Sequence, residues 1–586
     1  MKKTVSLLVA CLMLVLCVLP AAPASASVGG DHTIEMREFP FYLTDPDITL
    51  SDPFPLYFID GVDDLPYIEI EDLAGLLAFL NTDEYFGNDP DYGLNIDYNS
   101  EIVTLTRENG YTMEINFEKD TMVFNDYDAF IHGSNDTTLL DLVSEKGFDS
   151  EGNPSLIMRD KEASFDRYGD ILAIDLAGYD IDLLVKEQKY LIPLQTMSDF
   201  LFAVPLGNCV IFNGEALFLA SDGALFDYSV GDYSALSDIF YSVEPHDERS
   251  DELAEYSYSE LCLLLDTFYG LKEPHDIKNF SQIFWQIGYD EPLRGKSASD
   301  ADIALKSFID YYLDDLHSVF NEFSPMVGLN PISSSTGMSN RKITDFGKEY
   351  AAARAVYYPD GFFSYEEVGN TAYITFDSFD SKFTGEAFYA AAADGEDLPE
   401  DTIGLIIYAH QQITREGSPI ENVVLDLSNN LGGAVDAAVF VLGWFLGDAP
   451  FSVKNMTTGA MSTSVYRADV NLDREFDEKD TVADKNLFCL ISPVSFSCGN
   501  LVPAALKSSQ KVTLVGKTSG GGSCVVLPAS TAYGTVFQIS CCNRMSFLKN
   551  GSFYDIDQGV DPDVYLSKPA SFYDRAALTD YLNTLR

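Results

Sequence analysis

Three short segments put residues suited to acyl-transfer chemistry at turns between an apolar strand and a helix. Residues 490–500 run from a strand-like stretch through Ser492, Pro493, Ser495 and Phe496 to Ser497, Cys498, Gly499 and Asn500. A serine there stands at the tip of a rigid element, near the positive end of the following helix. That setting favours an attacking alkoxide and a developing oxyanion; a plain N-cap is the ordinary alternative role. Residues 423–433 form an apolar strand that ends in a polar turn with Gly432 and Gly433 at the start of a helix. Glycine tolerates positive φ and close backbone approach, and a helix N-terminus offers free N–H groups to an anion, as an oxyanion hole requires. Residues 514–523 form a strand followed by a glycine-rich loop that lacks the Gly-Lys-Ser/Thr ending of a phosphate loop, so nucleotide binding is disfavoured.

The elements that must position these turns are strands expected at 372–376, 423–427, 487–491 and 512–515, alternating with helices at 403–415, 434–446 and 500–508. Apolar strands alternating with helices imply an α/β fold with a buried, largely parallel sheet and functional loops at the strand ends. Upstream, Leu253, Tyr256, Leu261, Leu264, Leu265 and Phe268 make one helical stripe, and Ala304, Phe308, Tyr311, Tyr312 and Val319 make another. The Ser- and Gly-rich stretch Ser333–Asn340 reads as a loop. The N-terminal part repeats an order of strand, proline, apolar helix and strand pair, once from Pro55 to Leu80 and again from Tyr190 to Ala220. This repeat resembles the small α/β unit at the N-terminus of copper amine oxidases, which implies a spacer or docking role. The expected division is a leader at 1–26, an N-terminal α+β domain at 27–232, a helical subdomain at 233–345 and a core at 346–586.

The chain of 586 residues carries 92 Asp and Glu against 36 Lys and Arg, a formal charge of -56. A surface of that sign excludes nucleic-acid binding as a main function. It serves solubility outside the cytoplasm, with steering of cationic peptide substrates as the sharper reading. Lys2 and Lys3, an apolar run from Val5 to Leu19, and Ala24-Ser25-Ala26 read as a secretory signal cleaved after Ala26, with lipidation at Cys17 disfavoured by the bulky Leu16 before it. No later run is long enough for a membrane span. Cys209, Cys262, Cys489, Cys498, Cys524, Cys541 and Cys542 would survive cleavage; their spacing suggests buried thiols with one bridge at most and no zinc site.

Taken in order, the motifs resemble the serine peptidase family of tail-specific or C-terminal processing proteases and tricorn core proteases. The family's strand Tyr-Ile-x-Ile-x-x-Phe stands as Tyr373 to Phe379, and its Asp-Leu-Arg-x-Asn-x-Gly-Gly as Asp426 to Gly433. Its nucleophile turn stands as Ser495-Phe496-Ser497, its glycine loop as Gly516–Gly522, and its Gly-Val-x-Pro-Asp as Gly559 to Asp563. The resemblance implies a crotonase/ClpP-like ββα core and a serine endopeptidase with Ser497 as nucleophile. The loop lysine that serves as base in the processing branch falls here on Gly521, and Lys517 sits at a variable position. The tricorn-like branch instead draws its base from Asp-x-His-Ser/Thr, present as Asp315 to Ser318, which implies His317 as general base. It further implies Asp557, or alternatively Asp555, as the orienting carboxylate. The backbone N–H groups of Gly433 and Cys498 are the expected oxyanion hole. No metal, organic cofactor or C-terminus-binding PDZ module is expected, and the expected partner is a peptide or protein substrate, with cell-surface association through the N-terminal domain compatible. Ser428 in place of the family arginine, and Asn500 in place of an acidic residue, favour the alternative of a catalytically silent binding protein using the same cleft.

Overall fold

The computed structural model describes residues 3–5, 32–43, 48–50, 53–80, 94–107, 110–132, 140, 142–144, 147, 152, 154–159, 165–204, 207–220, 233–328 and 338–585. The expected leader from residue 6 through the cleavage point after Ala26 lies outside them. Among the described residues no helix is long and apolar enough to cross a membrane.

The C-terminal half is built on a six-stranded sheet in the order Tyr365–Val368, Thr371–Thr375, Asn422–Asp426, Asn486–Ile491, Val512–Gly516 and Val564–Tyr565. Every neighbouring pair after the first is parallel. Successive side chains of a strand point to opposite faces. Ala372, Ile374, Val423, Leu425, Leu487, Cys489 and Leu514 pack with helices Thr402–Thr414, Val435–Leu446 and Cys498–Ser508. Tyr373, Val424, Phe488, Leu490 and Val515 pack on the other face with Tyr350, Phe572, Tyr573 and Leu578. Both faces are covered, so the strands read as unbroken apolar runs rather than as alternation. The expected strands and helices of this half stand within a residue or two of where periodicity puts them.

On the second face, Asp426 and Arg575 form a buried ion pair, with Nη2 2.6 Å from Asp426 Oδ2 and 3.1 Å from Thr375 Oγ1. The guanidinium also lies 4.3 Å from the centre of the Tyr373 ring. The helix Met338–Tyr357 begins inside the stretch read as a loop, because Phe346, Tyr350 and Ala353 form a stripe that packs on this face and carries the helix back toward Met338.

A second sheet, with strands Ala449–Asn455, Met461–Ala468, Cys524–Ser530 and Val536–Ser546, also takes in Val319–Glu322 and, from the N-terminal region, Ile157–Arg159 and Phe165–Arg167. The helical segment comprises Asp251–Phe268, Phe280–Ile287, Asp290–Arg294 and Ala298–Phe308. The second stripe ends sooner than its spacing suggests. A π turn at Ile309–Leu313 changes the rotation, leaving Tyr311 and Tyr312 at the surface, while Val319 opens a strand. In the N-terminal region the two copies of the repeated pattern pair with each other, Leu191, Ile192 and Pro193 lying opposite Glu69, Ile68 and Tyr67. The seven described cysteines are all buried thiols, without the one bridge that their count allowed.

Removing one partner of a buried ion pair leaves an uncompensated charge, so Arg575→Met is expected to cost about 3–5 kcal/mol. Chemical denaturation of wild type and variant measures it, and a loss below about 1 kcal/mol contradicts the assignment.

Candidate active site

Ser497 follows the strand Asn486–Ile491 and begins the helix Cys498–Ser508 with φ 54° and ψ −123°, a conformation that costs non-glycine residues of order 1–3 kcal/mol. The turn is held by its neighbours. Ser492 Oγ donates to the Ser428 carbonyl at 2.5 Å, Ser495 Oγ to the Leu427 carbonyl at 2.7 Å, and the Phe496 N–H to the Asn430 carbonyl at 3.1 Å. Ser497 makes no side-chain cap bond, so its half-buried hydroxyl does not serve the N-cap role.

Two glycine segments close on this turn with no room for side chains. A Cβ on Gly432, at φ 106°, would stand 2.6 Å from Ser497 Cβ; one on Gly433, at φ 132°, would stand 2.3 Å from the Phe379 carbonyl oxygen. Asn430 fixes this segment, its Oδ1 accepting the Gly432 N–H at 2.9 Å while its Nδ2 donates to the Phe376 carbonyl at 3.0 Å. Among the described residues the N–H groups of Gly433 and Cys498 donate to no carbonyl, and Gly433 is exposed. From the other side, the Ser497 N–H donates to the Gly521 carbonyl at 3.0 Å. A Cβ on Gly521 would lie 1.9 Å from the Asp557 carbonyl oxygen. The absence of a lysine there is therefore a packing requirement of this chain. Lys517 points elsewhere, its ammonium lying 5.8 Å from the Tyr350 ring centre.

His317 comes from the helical half. It lies beyond the end of its helix, after the π turn, where Asp314 at φ 41° and Leu316 at φ 72° reverse the chain. Asp315 Oδ1 accepts the N–H groups of His317 at 3.2 Å and Ser318 at 2.7 Å, and its Oδ2 accepts the hydroxyls of Ser318 and Tyr269, each at 2.9 Å. Gln538 Nε2 donates to the His317 carbonyl at 2.6 Å, and the Ser540 N–H to Ser318 Oγ at 3.1 Å. The buried imidazole stands with its ring centre 4.6 Å from that of Phe496, the residue before Ser497. Burial holds His317 below the ordinary imidazole pKa, and the negative charges of Asp315 and Asp557 oppose that shift.

Asp557 and Asp555 separate by their partners. Asp555 is exposed and paired with Arg544, and it accepts the Asp557 N–H at 2.9 Å. Asp557 Oδ1 accepts the N–H of Ser523 at 3.1 Å and its hydroxyl at 3.0 Å, while Ser523 Oγ accepts from Arg544 Nε at 2.8 Å. Its field reaches His317. Sequence reasoning missed Tyr269 and Arg544, which no local motif marks; Ser523 closes the quoted glycine loop but carried no role. The Cys498 thiol donates to the Gly433 carbonyl at 3.1 Å and is pushed up to about 12 by burial, which makes it an inert packing group. His410 is likewise structural, its Nδ1 accepting from Trp444 Nε1 at 3.2 Å. Among the described residues no group of three or more His, Cys, Asp or Glu is placed to hold a metal.

An α/β sheet carrying a strained serine at a strand–helix turn, with glycine backbone packed against it, is an arrangement that serine hydrolases use. Residues 370–566 match the model described as Peptidase family S41. Similar proteins include a "Probable CtpA-like serine protease" of Staphylococcus epidermidis, 25% identical over 205 residues that make up 35% of each chain. A Chlamydia pneumoniae protein, CPj1016/CpB1054, is 32% identical over 103 residues, 17% of this chain and 16% of its own. The alignments thus span about a third or less of these relatives' length. Among solved structures, mature CPAF aligns with a TM-score of 0.34 at 12% identity, over 57% of this chain and 96% of its own.

Gly521→Lys, which places a lysine at the family position, is expected to lower the melting temperature and to give no lysine-dependent turnover. Thermal unfolding together with an ester-hydrolysis assay checks both, and a well-folded, more active variant would contradict the packing account.

Proposed function

We propose that the chain is an exported serine endopeptidase with a crotonase/ClpP-like core, in which His317 takes the proton of Ser497 and the serine attacks a peptide carbonyl. The N–H groups of Gly433 and Cys498 would hold the tetrahedral oxyanion, and Asp557 would orient the imidazole. One observation carries this reading: a buried histidine from a distant part of the chain packs on the residue adjoining the strained serine. The lowered pKa suits the role, since a base must be unprotonated at working pH. Asp557 is preferred to Asp555 because Arg544 already occupies the latter.

The reading of a silent binding protein rests on two departures from the family pattern, and both residues have structural employment. Arg575 supplies the guanidinium to Asp426 that Ser428 does not. Asn500 donates to the Ile556 carbonyl at 2.8 Å and accepts from Ser519 Oγ at 2.7 Å, which ties the glycine loop to the segment carrying Asp557.

Ser497→Ala and His317→Ala are each expected to reduce kcat/KM on unfolded protein substrates by roughly 10³-fold or more, and Ser497→Ala to abolish labelling by a fluorophosphonate probe. Unchanged turnover in either variant removes that residue from the mechanism. Because protonated His317 cannot act as base and its pKa is lowered, kcat/KM is expected to be flat through neutral pH. It should fall only on the acid side of the ordinary imidazole value, about 6.5. A pH–rate profile checks this; an acid limb centred above neutrality would overturn it.

A further inference from the structure

The connection between strands Met461–Ala468 and Asn486–Ile491 carries a pattern that peptide hydrolysis does not use. Asp469, Asn471, Asp473, Glu475, Asp477 and Asp480 occupy positions 1, 3, 5, 7, 9 and 12 of a twelve-residue run. That is the ligand spacing of a calcium loop of the EF-hand type, in which position 7 contributes its backbone carbonyl and position 6 makes a sharp turn. Position 6 is here Arg474, at φ 62°, so the backbone makes that turn without the usual glycine. The run ends in a short helical turn at Glu478–Asp480, capped reciprocally by Asp477 and Asp480.

Acidic spacing and turn geometry would not by themselves define a site; Asp469 supplies the independent observation. It is 0% exposed, and its Oδ2 accepts the Arg474 N–H and the Tyr389 hydroxyl, each at 2.7 Å. Its Oδ1 is buried and has no hydrogen-bond partner among the described residues. The bond to Arg474 turns this carboxylate toward the loop, and a buried carboxylate oxygen without a donor is costly unless a cation meets it. The loop's rim shows the same demand for positive charge: the Lys479 ammonium lies 3.0 Å from Asp477, 3.6 Å from Asp473 and 3.7 Å from Glu475. Asp480 is fixed at the base, its Oδ1 accepting the N–H groups of Val470 and Asn471 at 2.8 and 3.1 Å. Burial raises the pKa of Asp469 and pushes Asp480 up to about 6.

We propose that residues 469–480 bind one calcium ion, with Asp469 Oδ1 and Asp480 as fixed donors and Asn471, Asp473, Asp477 and the Glu475 carbonyl closing on it. The all-oxygen donor set suits a hard cation, and the number and flexibility of the donors suit calcium rather than magnesium. Since no carboxylate trio is assembled among the described residues, binding requires the exposed Asp473 and Asp477 to swing inward and displace Lys479. The loop is anchored to the core through Arg474, which donates to the Pro154 carbonyl at 3.0 Å and to Glu386 at 3.2 Å and lies 3.8 Å from the Tyr389 ring centre. The ion would therefore brace the joint between the connection and helix Gly385–Asp394, whether or not the chain hydrolyses peptides.

The full chain, freed of metal with a chelator, is titrated with calcium chloride and separately with magnesium chloride, by calorimetry and by thermal unfolding. One saturable calcium site with Kd of roughly 0.1–1 mM is expected, with a rise in Tm that magnesium does not match at equal concentration. Asp473→Ala/Asp477→Ala, at exposed positions that leave the fold intact by circular dichroism, should weaken binding at least tenfold, and Lys479→Ala should tighten it. The proposal is overturned by absence of saturable binding up to about 10 mM, by equal effects of magnesium, or by calcium stabilisation that persists undiminished in the double variant, which would mark general screening of an acidic surface.

Discussion

The candidate site exists because one short edge strand, Val319–Glu322, pairs with Val536–Gln538. That pairing fixes the turn just before it, where Asp315 gathers two N–H groups and two hydroxyls, and delivers an imidazole from the helical half to the ring of Phe496. The serine turn, the glycine loop and the Asp557 segment belong to a single continuous stretch of α/β chain, whereas the histidine does not. Everything proposed about proton transfer depends on this one seam between halves, and Gln538 and Ser540 fasten it on the strand side.

Much of the C-terminal fold was legible because its strands are buried on both faces and its helices carry wide apolar stripes, so type and order follow from hydrophobic pattern alone. Ser497, Gly432 and Gly433 were legible for a related reason. A serine at a strand–helix turn and glycines at a close backbone approach are both steric signatures. His317 was readable only through its Asp-x-His-Ser context in a family pattern. Its position depends on a π turn and on a leucine in the left-handed region, which L side chains rarely adopt and which no local sequence rule anticipates. The choice between Asp557 and Asp555 stays open in sequence, since both are acidic and two residues apart; Arg544, from strand Val536–Ser546, pairs with Asp555. Tyr269 and Arg575 act across long sequence distances and carry no local mark.

The glycines explain why this chain departs from a lysine-dependent arrangement. Gly521 packs its Cα side against the Asp557 carbonyl, and a Cβ on Gly522 would stand only 2.4 Å from the Phe496 ring, so neither position has room for a side chain. The loop's backbone thus lies where side chains would otherwise reach the serine. What the close packing forgoes in side-chain chemistry it returns as a rigid turn, with Ser497 held in a strained conformation by two neighbouring segments.

The buried carboxylate of Asp426 lies at the end of a central strand, yet its counter-charge arrives from Arg575, 149 residues further along the chain. During synthesis, the strands and the serine turn emerge well before that guanidinium. Until the helix Arg575–Leu582 docks, the strand beside the serine turn harbours an unpaired carboxylate and one face of the sheet lacks its cover. The α/β half therefore cannot complete its fold until Arg575 has been synthesised and its helix has docked, so the order of translation sets the order in which this sheet is closed.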